Sequence, residues 1–75
     1  MKRIIDNLLY DTDTAELIYT EESTNRRLYK TPNGNFFTLY PTGEIRPKSE
    51  SDTKDYLGRY DVQKYIELFG EPKEA

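Results

Sequence analysis

The sequence predicts a small α+β domain, with short antiparallel strands at the start and middle and an amphipathic helix near the end. Three observations point there. Two Pro-x-Gly links, Pro32-Asn33-Gly34 and Pro41-Thr42-Gly43, separate short runs rich in aromatic and branched residues. Val62, Tyr65, Ile66 and Phe69 recur at i, i+3, i+4, i+7, the spacing of one helical face. Ten aromatics, seven of them Tyr, are too many for a disordered polyampholyte, although 33% of the residues are charged.

Residues 1 to 10 read as a hairpin. Ile4-Ile5 and Leu8-Leu9-Tyr10 flank Asp6-Asn7, two residue types that tolerate the positive φ of a two-residue type I′ turn. Both faces of this ribbon are then apolar, so it should be covered on two sides or lie at a subunit contact. Asp13-Thr14-Ala15-Glu16 has the form of a capping box and predicts a short helix over 13 to 20. Each Pro-x-Gly link has the chemistry of a type I turn followed by a left-handed Gly. Two in series predict a three-stranded meander over 26 to 47, with Tyr29 opposite Phe37 and Leu39 opposite Ile45.

That register puts Tyr29, Phe37, Leu39 and Ile45 on one face. Arg26, Leu28, Lys30, Phe36, Thr38, Tyr40 and Arg46 fall on the other. Residues 47 to 57 are polar without a period and read as a loop. Asp61 caps the helix over 61 to 69, Gly70 and Pro72 end it, and its stripe should lie on Tyr29, Phe37, Leu39 and Ile45. No repeat or second domain is visible, so residues 1 to 75 form one domain.

There is no Cys and no His, which removes the usual zinc, iron and copper ligand sets and the Ser-His and Cys-His nucleophile pairs. Disulfides are excluded and an intracellular setting is the simpler one. No apolar run approaches a membrane span, and Met1-Lys2-Arg3-Ile4-Ile5 lacks the apolar core of a signal peptide. Acidic pairs such as Glu21-Glu22, Asp11/Asp13 and Asp52/Asp55 sit in polar stretches and read as solvated or capping groups. The glycine turns lead into strands rather than helices, unlike phosphate-binding loops. The expectation is a non-enzymatic protein with no catalytic, cofactor-binding or metal-binding residues.

Net charge is -3, but it is segregated. Residues 1 to 25 sum to -4, residues 26 to 48 to +4 and residues 49 to 75 to -3. The meander face with Arg26, Lys30, Phe36, Tyr40 and Arg46 is therefore basic and aromatic, suited to a polyanionic partner or to stacking on bases. The competing reading makes Leu28 and Phe36 core under the hairpin and short helix, with the cations at the rim. Tyr56 and Tyr60, like Tyr19, flank polar stretches and suit a protein interface, where tyrosine is enriched. Together Arg26, Lys30, Phe36, Tyr40, Arg46, Tyr56 and Tyr60 are the candidate partner-binding residues.

Leu9-Tyr10-Asp11-Thr12, Thr14-Ala15-Glu16-Leu17-Ile18, Leu28-Tyr29-Lys30-Thr31 and Gly34-Asn35-Phe36-Phe37, with the terminal helix, form a pattern spanning most of the chain. It resembles small proteins of phages and mobile elements of Gram-positive bacteria, a group that includes anti-CRISPR proteins. The resemblance implies a stoichiometric inhibitor in the cytoplasm of the bacterial host, binding a CRISPR effector such as Cas9 and blocking nucleic-acid binding or cleavage. A chain of 75 residues buries little surface, which fits a monomer or weak homodimer. The alternative, from the residues alone, is a small nucleic-acid-binding or regulatory protein using the basic meander face.

Overall fold

The computed structural model describes all 75 residues. It is α+β, with a two-stranded and a four-stranded antiparallel sheet and two helices. Strands β1 (Lys2–Ile5) and β2 (Leu8–Asp11) form the ribbon. Asp6 and Asn7 at its turn have φ of 50° and 65°, as a type I′ turn requires. Ile4 pairs with Leu9 and Ile5 with Leu8.

Strands β3 (Glu16–Glu21), β4 (Arg26–Lys30), β5 (Phe36–Leu39) and β6 (Ile45–Lys48) form the larger sheet in that order. Tyr29 faces Phe37 and Leu39 faces Ile45, the register the two turns dictate. Gly34 and Gly43 sit at φ of 86° and 91°, positions where a β-branched side chain would be strained.

Residues 13 to 20 do not form the expected short helix. Asp11, not Asp13, is the organising acid: its Oδ1 accepts from the Asp13 amide at 2.9 Å, and its carbonyl accepts from the Ala15 amide at 3.0 Å. One turn closes and stops, because Leu17-Ile18-Tyr19-Thr20 are branched or aromatic residues that fit a half-buried strand better. The meander thereby gains a fourth strand.

A bulge lies in β3. Leu17 faces Tyr29 and Tyr19 faces Leu28, leaving Ile18 as the extra residue. Ile18 and Tyr19 both reach the same hydrophobic cluster, whereas strict alternation would send them to opposite faces.

The expected loop over 47 to 57 is largely helix. Helix α1 (Glu50–Tyr60) starts at Ser49, whose Oγ accepts from the Asp52 amide at 3.0 Å. It buries Thr53 and Leu57 completely. The Thr53 hydroxyl donates to the Ser49 carbonyl at 2.8 Å, so a polar side chain occupies the core without an unmet bond. Helix α2 (Val62–Phe69) follows directly. Asp61 serves both helices: its amide donates to the Leu57 carbonyl at 2.8 Å and its Oδ1 accepts from the Lys64 amide at 3.2 Å.

Three layers result, with the ribbon and the helices on opposite faces of the larger sheet. Between ribbon and sheet lie Tyr10, Tyr29, Phe37 and Ile45, flanked by Ile5, Ala15 and Leu39. On the other face Ile18, Leu28, Phe36 and Leu57 form a second cluster, with Tyr56, Tyr65, Leu68 and Phe69 against it. The terminal helix therefore packs on Leu28 and Phe36, not on the Tyr29, Phe37, Leu39 and Ile45 face expected for it. Both faces carry large aromatics, so alternation alone does not say which one the helix covers. Its contact stripe is also rotated, with Val62 exposed and Leu68 recruited.

Candidate binding surface

Tyr40 directly follows the inner strand β5, and two arginines lie against its ring. Arg26 from β4 places its guanidinium carbon 4.7 Å from the ring centroid, and Arg46 from β6 places its own at 5.0 Å. The sheet order makes this arrangement, because β5 has β4 on one side and β6 on the other. Each contact is a cation–π interaction, typically about 0.5 to 1 kcal/mol at an exposed site. Arg46 is further held by Glu44, with Nε 3.1 Å from Oε2, and that carboxylate strengthens the proton affinity of the guanidinium.

Across a cleft of about 50 Å³ stands α1. Glu21, Arg26, Arg27, Leu28, Thr38, Tyr40, Lys48 and Tyr56 line it. Lys48 sits 4.9 Å from the Tyr56 ring centroid. Tyr56 donates from its hydroxyl to Glu21 Oε1 at 2.6 Å, and Thr24 donates to Glu21 Oε2 at 2.7 Å. The bond from Tyr56, followed by that from Thr24, holds the Glu21 carboxyl below its usual range. Burial, then the bond to Glu21, pushes the Tyr56 phenol well above its usual range.

This hydrogen bond fastens α1 to β3 and carries a pH dependence. A carboxyl whose folded pKa is depressed stabilises the fold above its unfolded pKa, and that contribution disappears as pH falls through the folded value. Tyr56→Phe is expected to lower stability at neutral pH by about 1 kcal/mol, a charged hydrogen bond discounted for solvent. The gap to the parent should narrow as pH drops below the ordinary glutamate range. Urea midpoints of both proteins at pH 7 and pH 3 check this; an equal gap at both pH values would remove Glu21 from the account.

The expected site residues separate into groups. Arg26, Tyr40 and Arg46 come together, and Tyr56 faces them across the cleft. Tyr60 stacks obliquely on Tyr56 at 4.8 Å and is 53% exposed. Lys30 is at the far end of β4, opposite Glu16, about 13 Å along the strand from Arg26. Phe36 is 4% exposed and 5.8 Å from the Phe69 ring, so it belongs to the core and not to a contact surface. Lys48 is not among the expected contact residues, and Glu21, expected as a solvated or capping acid, instead accepts from the Tyr56 hydroxyl across the cleft. Lys48 was legible as the residue two beyond Arg46, on the same face by strand alternation.

No group of three or more carboxylates is placed to hold a metal ion. No helix is long and apolar enough to cross a membrane. Comparison with protein-family models, curated proteins and solved structures returns no match.

Proposed function

We propose that this chain is a non-catalytic binding protein that engages a protein partner through the Arg26, Tyr40 and Arg46 cluster. The observation that carries the reading is the Tyr40 ring with two guanidiniums against it. Arginine and tyrosine are the residue types in which interface binding energy concentrates, and this tyrosine is already oriented before any partner arrives. Arg26 and Lys48 make no ion pair, although Glu21 stands opposite Arg26 across the β3–β4 ladder, and both can still meet an acidic side chain or a carbonyl of the partner. The resemblance to anti-CRISPR proteins selects the first target to test: a CRISPR effector of the Cas9 type, inhibited stoichiometrically at nucleic-acid binding or cleavage.

The second reading is direct binding of RNA or DNA by the same cations. Arg26 and Lys48 favour it as positive charges outside any ion pair. Against it, Phe36 is buried and both guanidiniums crowd the Tyr40 ring on which a base would stack.

Under the protein-partner reading, Tyr40→Ala should weaken binding to purified effector by at least about 2 kcal/mol, roughly thirtyfold. Reversal of the outlying Lys30 should cost less. Under the nucleic-acid reading the order inverts, because reversing Arg26 and Arg46 would abolish binding to free oligonucleotide and flatten its salt slope. Calorimetry with effector, and with RNA and DNA at two salt concentrations, separates the two. Tight, salt-sensitive binding of free nucleic acid with no effector contact would overturn the protein-partner reading.

A further inference from the structure

Beyond the cationic cluster, we infer that the groove between the free edge of β3 and the C-terminal end of α1 receives a lysine or arginine side chain on an extended segment of a protein partner. The groove measures about 460 Å³ and is lined by Tyr19, Thr20, Glu21, Glu22, Ser23 and Tyr60. No lysine or arginine lines it. Tyr19, Tyr56 and Tyr60 form a continuous aromatic row, with centroids 5.8 Å and 4.8 Å apart. Aromatic faces attract a cation, and a flanking carboxylate adds to that attraction. Glu22 is exposed and in no ion pair.

The backbone supplies the second half of the site. β3 is an edge strand, hydrogen-bonded only to β4. The Thr31 amide donates to the Asn35 carbonyl, which fixes the alternation: Tyr29 and Arg27 turn their backbone groups to β5, and Leu28 and Arg26 turn theirs to β3. Thr20, paired with Arg27, consequently points its own N–H and C=O outward. β4 is the only strand paired with β3, and the bonds from Tyr56 and Thr24 end on the Glu21 carboxylate, not on the β3 backbone. An extended segment can form one hydrogen-bonded pair with Thr20, and the side chain of its next residue, opposite Tyr19 or Glu21 and so on the α1 face, enters the groove.

The charges and the opposite edge argue against a second copy of this chain as the occupant. Antiparallel pairing of β3 with β3 across a two-fold axis would oppose Glu16 to Glu21, two like charges. Head-to-tail pairing would use β6, whose basic residues suit β3. The same alternation, continued from the Tyr40 amide bonding the Glu44 carbonyl, turns Pro47 to the outer side of β6. Proline has no N–H to offer there. A foreign segment with basic side chains fits both the charge and the open edge.

The test is an amide-resolved NMR titration of the full chain with a blocked peptide of alternating lysine and threonine. Shifts are expected at Thr20, Glu22 and Tyr60. Glu22→Lys and Tyr60→Ala should each weaken binding roughly tenfold; both side chains are exposed, so neither change threatens the fold. Arg46→Ala should leave peptide binding unchanged, which separates this groove from the cationic cluster. The inference is overturned by no shifts at millimolar peptide, by equal binding of a glutamate-threonine peptide or of spermine, by indifference to both groove variants, or by self-association that occupies the β3 edge.

Discussion

Phe37→Ala is expected to lower stability by about 3 to 5 kcal/mol and to leave a large fraction of the protein unfolded in buffer. Phe37 is 0% exposed. Its ring stacks on Tyr29 at 5.1 Å with 10° between planes, and meets the edge of Tyr10 at 5.5 Å. Removing it opens a cavity between two layers whose other buried hydrophobic residues on that face are Tyr10, Tyr29 and Ile45. At about 0.05 to 0.15 kcal/mol per residue a chain of this length has about 4 to 11 kcal/mol in total, so the loss takes roughly a quarter of it or more. Urea unfolding followed by far-ultraviolet circular dichroism measures the change. A loss below about 1 kcal/mol would mean that the ribbon does not close this face.

Leu57→Ala carries the second large effect, about 2 to 5 kcal/mol, and it tests the helix that composition hides. Leu57 is 0% exposed among Ile18, Leu28 and Phe36. Were residues 47 to 57 a solvated loop, the same change would fall within about 0.5 kcal/mol. A small effect, with helical signal unchanged, would therefore refute α1 and the cleft that α1 closes.

The turns and the central strand register were legible because they rest on local chemistry: Pro and Gly at fixed turn positions, and Asp6-Asn7 at positive φ. The missed helix had signals of the same local kind. Ser49 with Asp52 is a capping pair, and Thr53, Tyr56, Leu57 and Tyr60 recur at i, i+3, i+4, i+7. A threonine at the first position and charged residues elsewhere conceal the stripe, since Thr53 is core only because its hydroxyl finds the Ser49 carbonyl. The swapped faces had no local signal. Strand alternation sorts residues into two sets but does not say which set meets a helix.

Of the candidate surface, Arg26, Tyr40 and Arg46 could be grouped from register alone. Tyr56 and Tyr60 could be named, but not placed, until α1 existed. Glu21 enters only through a bond from a residue 35 positions away, beyond the reach of any local pattern. Register alone leaves Phe36 open between core and surface for the same reason, its cover being the far end of the chain.

The two hydrophobic clusters draw on adjacent residues of the same strands: Leu28 faces one and Tyr29 the other, as Phe36 and Phe37 do. Displacing β4 or β5 to relieve one side necessarily disturbs the other. The two cores therefore melt together, and neither the ribbon nor the helical pair is a detachable part that could be trimmed to reach a smaller working fragment. Cooperativity in so thin a molecule comes from this interleaving along the chain, residue by residue, rather than from the size of any one core.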